Sequence, residues 1–210
     1  MKFINGNLFD SQAKAIVNAV NTVGVMGKGI ALDFKEKYPS NMEAYKKACT
    51  DGTVQIGKVF PVRVTESNVV EWVVNFPTKK HWKGKSDINW IKAGLIDLKE
   101  FIKSHNIESI AIPPLGAGHG GLSWSEVKKC IEDELSSLDD VSIEVYEPLI
   151  KKNNDPAVYV STICSILAER MYSISNIPFS FRELELCFYI WYKFVNAKLD
   201  IDVEYTDYND

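Results

Sequence analysis

The chain has 210 residues, of which 46% are hydrophobic and 25% charged, and a formal net charge of −4. This composition excludes a disordered, collagen-like or fibrous protein, and the length suits one domain of ordinary size, or one domain plus a small appendage. An acidic balance argues against non-specific coating of nucleic acid, although it leaves room for a local basic groove.

Residues 1–150 hold 18 Lys and Arg against 19 Asp and Glu, and residues 151–210 hold 6 against 9, so the acidic excess lies in the last part. The cysteines, Cys49, Cys130, Cys164 and Cys187, are far apart and form no C-x-x-C pair. Neither a disulfide framework nor a zinc knuckle is expected. The start, M-K-F-I-N-G-N, lacks a signal-peptide core, and no apolar run reaches the roughly 18 residues of a membrane span. The expectation is a reduced, cytoplasmic protein with no membrane partner.

In chain order, residues 2–5 and 15–20 read as buried strands, separated by the polar loop N-G-N-L-F-D-S-Q. A loop with three glycines, N-T-V-G-V-M-G-K-G, follows. Ile30 to Tyr38 reads as a helix stopped before Pro39, and Ser40 to Cys49 as a second helix with Ser40 as N-cap. Segments 58–64 and 69–76 read as strands around a polar turn. Asp87 to His105 is an amphipathic helix, with Asp87 as its cap and Ile88, Ile91, Leu95, Leu98, Phe101 and Ile102 on one face. Residues 109–115 read as a strand and Ser123 to Leu138 as a helix that S-W-S-E could open as a capping box; 141–146 is a last strand. Strands alternating with helices predict an α/β sandwich of three layers, with a mostly parallel sheet and an antiparallel element where 58–64 meets 69–76. After Pro148 the pattern changes: 149–156 reads as a linker and 157–210 as a helical, acidic, aromatic extension.

Ligands in such folds bind beyond the carboxyl ends of the strands. Three loops leave those ends here: 21–29, 77–86 and 116–122. The last contains Gly116-x-Gly118-x-x-Gly121 between a strand and a helix, the local context of a phosphate loop. A plain tight turn and a dinucleotide fingerprint are the alternatives, the latter disfavoured by its late position. The loop with Gly24, Gly27 and Gly29 lacks P-loop spacing around Lys28. Two glycine loops suit a diphosphate held from both sides.

Between them, N-F-P-T-K-K-H-W-K-G-K concentrates Lys79, Lys80, Lys83 and Lys85 around His81 and Trp82. Lysines meet phosphates and an indole stacks on a base, which favours a single strand over a duplex. A solvated basic loop is the plain alternative. One of these lysines, partly buried among like charges, could act as a neutral amine. His81, His105 and His119 lack metal-ligand spacing, and Asp33 and Glu36 read as surface charge. No metal and no cofactor are expected.

The segments G-N-L-F, N-T-V-G-V-M-G-K-G-I-A, N-F-P-T-K-K-H-W and P-P-L-G-A-G-H-G-G-L-S-W together resemble the macrodomain family, and within it the DarG-type DNA ADP-ribosyl glycohydrolases. The resemblance covers residues 1–148. It implies an α/β/α macrodomain that removes ADP-ribose from thymine in single-stranded DNA and reverses the work of a DNA ADP-ribosyltransferase toxin. It implies Lys79 as the catalytic lysine and Asn21 as a catalytic partner at the thymine or distal ribose. Asn7, with Leu8 beside it, would face the adenine. Val25, Met26, Gly27, Gly29 and Ile30 would close over the phosphates. Leu115, Gly116, Ala117, Gly118, His119, Gly120, Gly121 and Leu122 would wrap the diphosphate. Thr78, Lys80, His81, Trp82 and Lys83 would meet the DNA strand, and the extension would bind the toxin.

Two positions depart from related patterns. Many macrodomains carry Asp where Asn7 stands. A lysine-dependent group that acts on ADP-ribosylated carboxylates carries Asp where Gly120 stands. The alternatives are a reader of ADP-ribose without catalysis, a hydrolase of protein-linked ADP-ribose, and an antitoxin whose tail alone neutralises the toxin.

Overall fold

The computed structural model describes residues 1–148. Its elements run β1 (Lys2–Ile4), β2 (Ala15–Asn21), α1 (Ile30–Lys37), α2 (Pro39–Thr50), β3 (Phe60–Arg63), β4 (Trp72–Lys79), α3 (Ile88–Ser104), β5 (Ser109–Ile112), α4 (Trp124–Leu135) and β6 (Ser142–Tyr146), with a 3-10 turn at Leu8–Asp10. The strands form one sheet in the order β1-β6-β5-β2-β4-β3. All neighbours are parallel except β3, which pairs antiparallel with β4 from Phe60 opposite Asn75 to Arg63 opposite Trp72. The expected mixed, mostly parallel sheet is therefore present, with its antiparallel pair in the expected place. The linker and helical extension expected at 149–210 lie outside the described residues.

The pleat sorts side chains by parity. Ala15 and Val17 of β2, Val74 and Phe76 of β4, Ile110 and Ile112 of β5, and Ile143 and Val145 of β6 share one core with Ile91, Leu95 and Leu98 of α3 and Val127 and Ile131 of α4. Their neighbours Ile16, Val73, Ala111 and Tyr146 pack on the opposite face with Phe34 of α1 and with Tyr38. Val20 and Met26 meet Ala31, Tyr45 and Ala48 in a third cluster. Helices therefore cover both faces, and β2, in the middle, is buried on each. α3 lies so close to the sheet that a Cβ at Gly94 would overlap the ring of Phe76.

Several element boundaries differ from the expectation, each for a local reason. β5 stops at Ile112, because Pro113 and Pro114 have no N–H for a ladder. β4 continues through Pro77 to Lys79. β3 pairs no further than Asn75, so β4 is an edge strand there, where proline is tolerated. α2 starts at Pro39, a favoured first helical residue, with Tyr38 in the cap position. Ser40 is thus inside the helix, and its N–H donates to the Glu66 carboxylate (2.8 Å). Asp87 caps α3 as expected, accepting from the Asn89 N–H (2.8 Å). Ser123 makes no side-chain cap; its hydroxyl pairs with that of Ser125 (2.7 Å), and α4 ends at Leu135. Among the described residues no helix is long and apolar enough to cross a membrane.

Candidate active site

The parallel strands β1, β6, β5, β2 and β4 all end at one edge of the sheet. Asn7 follows β1 and Lys79 ends β4, so about four strand spacings of ~4.8 Å, roughly 19 Å, separate them. The two glycine loops leave β2 and β5 between these limits. This strip suits an elongated ligand with an anionic middle.

Lys79 owes its place to an irregularity. Val20 pairs with Pro77, but Asn21 pairs with Lys79, so β4 gains one residue, Thr78, against β2. Such a bulge re-aims the side chain that follows it. Thr78 is only 4% exposed and its hydroxyl donates to the Val20 carbonyl (3.3 Å). Its side chain is buried in the bulge, which leaves only its backbone for a DNA strand. Lys79 is half-buried, and its Nζ donates to the carbonyl of His119 in the second glycine loop. Burial holds the amine below the ordinary lysine pKa. The loops after β2 and β4 are joined as well: the Thr22 N–H donates to the Lys79 carbonyl (3.1 Å), and its hydroxyl to that of Lys80 (2.8 Å).

Asn21 sits beside Lys79, buried, with its amide turned into its own loop. Its Oδ1 accepts from the N–H groups of Val23 (3.1 Å) and Val25 (3.3 Å), and its Nδ2 donates to the Val25 carbonyl (2.6 Å). One amide hydrogen is left for a ligand among the described residues. Asn21 thus shapes the loop first. Asn7 is exposed and caps the 3-10 turn by accepting from the Phe9 N–H (3.1 Å). Its NH₂ group stays available at this end of the strip.

The first glycine loop presents Val25, Gly27 and Gly29 to solvent, with Ile30 partly covered. Gly29 opens α1 at φ 59°, ψ −153°, a conformation open essentially to glycine alone. It faces the second loop: a Cβ there would lie 3.7 Å from the His119 ring. In the second loop Ala117, Gly121 and Leu122 use their N–H groups internally, whereas those of Gly118, His119 and Gly120 have no protein acceptor among the described residues. Successive free amides form an anion cradle. Leu8, Met26 and Leu115 are core side chains, which leaves only their backbone for a ligand.

Gly120 has no space for a side chain. A Cβ there would collide with the Gly116 carbonyl and with Ser86 Oγ. The Ser86 N–H also donates to the Gly120 carbonyl (3.0 Å), which ties the basic loop to the glycine loop. An acidic residue at 120 therefore requires a different loop. Ser86 is a site residue the sequence reading missed; only its position at the end of a lysine-rich loop hinted at it.

The basic loop projects outward. Trp82 is 49% exposed, stacks near His81 (ring centroids 5.3 Å apart), and carries the Lys83 ammonium 4.8 Å from its ring centre. The Lys80 ammonium lies 5.2 Å from the ring of Trp90. Aromatic faces and cations thus alternate beside Lys79. Among the described residues no three His, Cys, Asp or Glu side chains form a group that could hold a metal ion.

This geometry has close relatives. The model of the Macro domain family matches residues 17–131. The DNA ADP-ribosyl glycohydrolase of Thermus aquaticus is 48% identical over 149 residues, which are 71% of this chain and 41% of that protein. The chain thus spans about two fifths of the length of this curated relative. The solved macrodomain of Mycobacterium tuberculosis DarG superposes with a TM-score of 0.68 at 47% identity, over 70% of this chain and 96% of that one. Thermosipho africanus DarTG, solved with ADP-ribose, gives 0.66 at 35% identity, over 73% of this chain and 43% of that one. A six-stranded mixed sheet, two glycine loops at its carboxyl edge and a family match that spans them lead to one conclusion: the chain belongs to the macrodomain family.

Proposed function

We propose that this protein hydrolyses the N-glycosidic bond between ADP-ribose and thymine in single-stranded DNA, reversing the product of a DNA ADP-ribosyltransferase toxin. The observation that carries the reading is Lys79. Its desolvated amine stands where the two anion-binding loops and the basic aromatic loop meet. The chemistry named for the Thermus relative supports the reaction. The Thermosipho relative, a fusion of DNA ADP-ribosyl transferase and DNA ADP-ribosyl glycohydrolase, supports a transferase partner.

In this reading ADP-ribose lies along the strip from Asn7 to Lys79. The amides of 118–120 and the N-terminus of α1 hold the diphosphate. Lys79 meets the anomeric carbon of the distal ribose. Two routes fit its lowered pKa. The amine attacks that carbon as the bond to the thymine nitrogen breaks, the ribose ring then opens to an imine as its ring oxygen takes up a proton, and water hydrolyses the imine to release ADP-ribose. Alternatively, the ammonium gives its proton to the departing base while water attacks. Lys80, His81, Trp82 and Lys83 receive the flanking strand. Residues 157–210 bind the toxin, and the setting is the reduced cytoplasm. Gly120 argues against ADP-ribosylated carboxylates as substrates, because the loop excludes an acidic side chain there.

The test is release of ADP-ribose from a thymidine-modified oligonucleotide and from a modified acidic peptide, with Lys79→Ala alongside. Release from the DNA alone, abolished in the variant while ADP-ribose still binds, is the expected result. Binding without release from either substrate would make the protein a reader. Borohydride trapping under turnover separates the two routes, since only amine attack leaves a covalent adduct.

A further inference from the structure

Three wholly buried asparagines lie beneath the first glycine loop: Asn18 of β2, Asn75 of β4 and Asn41 of α2. Buried amides are costly unless satisfied, and a hydrophobic core of the same volume would be as stable. Their hydrogen bonds run in one direction. The Phe60 carbonyl can only accept, so it draws one N–H of Asn75 (3.2 Å). The other N–H of Asn75 goes to Asn41 Oδ1 (2.7 Å). Asn75 Oδ1 then accepts from Asn41 (3.2 Å) and from Asn18 (3.1 Å). Asn18 is thereby turned with its amide nitrogen inward, and its second N–H points to the sulfur of Met26 (3.8 Å). Its own oxygen has no partner among the described residues. A backbone carbonyl of β3 thus sets the orientation of every amide up to a residue of the ligand loop.

α2 reaches the same loop a second time. Tyr45 lies one turn after Asn41, so both face the sheet. Its hydroxyl donates to the Asn21 carbonyl (2.6 Å) and lies 3.4 Å from Asn21 Oδ1. That Oδ1 is the atom that accepts from Val23 and Val25.

We propose that α2 is the brace of the 21–26 loop. Asn41, acting through Asn75 and Asn18, and Tyr45, acting through Asn21, are positioning residues that hold Met26 and the Val23–Val25 backbone in the shape that receives the ligand. Asn18 is held in an arrangement that leaves one acceptor unused because its orientation serves Met26. The inference takes its ligand from the function proposed above, but its geometry stands without it.

The test uses the full chain with Asn41→Leu, Tyr45→Phe and, as a core control at the far end of the sheet, Ile143→Ala. Hydrogen exchange at the Val23 and Val25 amides is read first, without ligand. Both brace variants should accelerate it roughly tenfold or more, as expected for a lost buried hydrogen bond. Ile143→Ala, which lowers the unfolding midpoint without touching α2, should leave it unchanged. ADP-ribose affinity should then fall by roughly tenfold in the brace variants and stay unchanged in Ile143→Ala. If Asn41→Leu does not fold, Tyr45→Phe decides alone. Unchanged exchange in Tyr45→Phe, or equal acceleration in Ile143→Ala, overturns the brace. Should the unaltered protein bind no ADP-ribose while the exchange pattern holds, the functional reading fails and the brace stands.

Discussion

Lys79 is held by a bulge, a carbonyl and partial burial, and its chemistry follows from that setting. A lowered pKa means that the neutral amine is present at pH values where an ordinary lysine, near 10.5, is still fully charged. If the amine attacks, turnover rises with pH and levels off below that ordinary value. If the ammonium is the proton donor, turnover falls across the same range. A pH–rate profile of kcat/KM distinguishes the two slopes. In the proposed reading, Trp82 meets the DNA half of the substrate. Stacking on an exposed indole is worth about 1–3 kcal/mol per base, so Trp82→Ala should weaken affinity for the modified oligonucleotide by that amount. It should leave affinity for free ADP-ribose unchanged, which calorimetry with each ligand would check. Glycines and lysines made this much of the site visible in the sequence, because their chemistry is local. The place of Thr78 in a bulge was not visible. Pro77 reads as the end of a strand, and only pairing with β2 shows that β4 runs on and carries an extra residue.

At the scale of elements, α3 was the most legible, since its apolar face repeats with helical period and Asp87 announces its start. One of its residues behaves against propensity. Alanine normally stabilises a helix by about 1 kcal/mol over glycine. At Gly94 the added methyl would overlap the Phe76 ring and push α3 from the sheet. Gly94→Ala should therefore lower stability by about 1–3 kcal/mol, read as a lower unfolding midpoint. α2 was the least legible. Asn41 and Tyr45 look like ordinary members of a polar helix, and Asn18 and Asn75 like interruptions of apolar strands. Their significance is tertiary: residues 57 positions apart in sequence meet only when β2 and β4 pair. No local period carries that information.

For the whole molecule, the strip from Asn7 to Lys79 exists only once β1, β5, β2 and β4 are aligned, because its parts come from distant stretches of chain. All of these parts lie within residues 1–148, and Met1–Leu149 forms a compact unit of its own. A protein cut after Pro148 should therefore fold and keep turnover on the modified oligonucleotide, while losing any grip on a toxin; activity lost on truncation would place the extension in the site. The margins of the sheet have a separate consequence. The outer strands are short, three residues in β1 and four in β3, and β3 holds a proline and an arginine. A neighbouring chain seeking to extend the sheet would find few backbone groups to pair with, one of them missing at Pro61. Strand-by-strand growth toward fibrils is disfavoured at both ends, and the buried strands β2 and β4 stay in the interior.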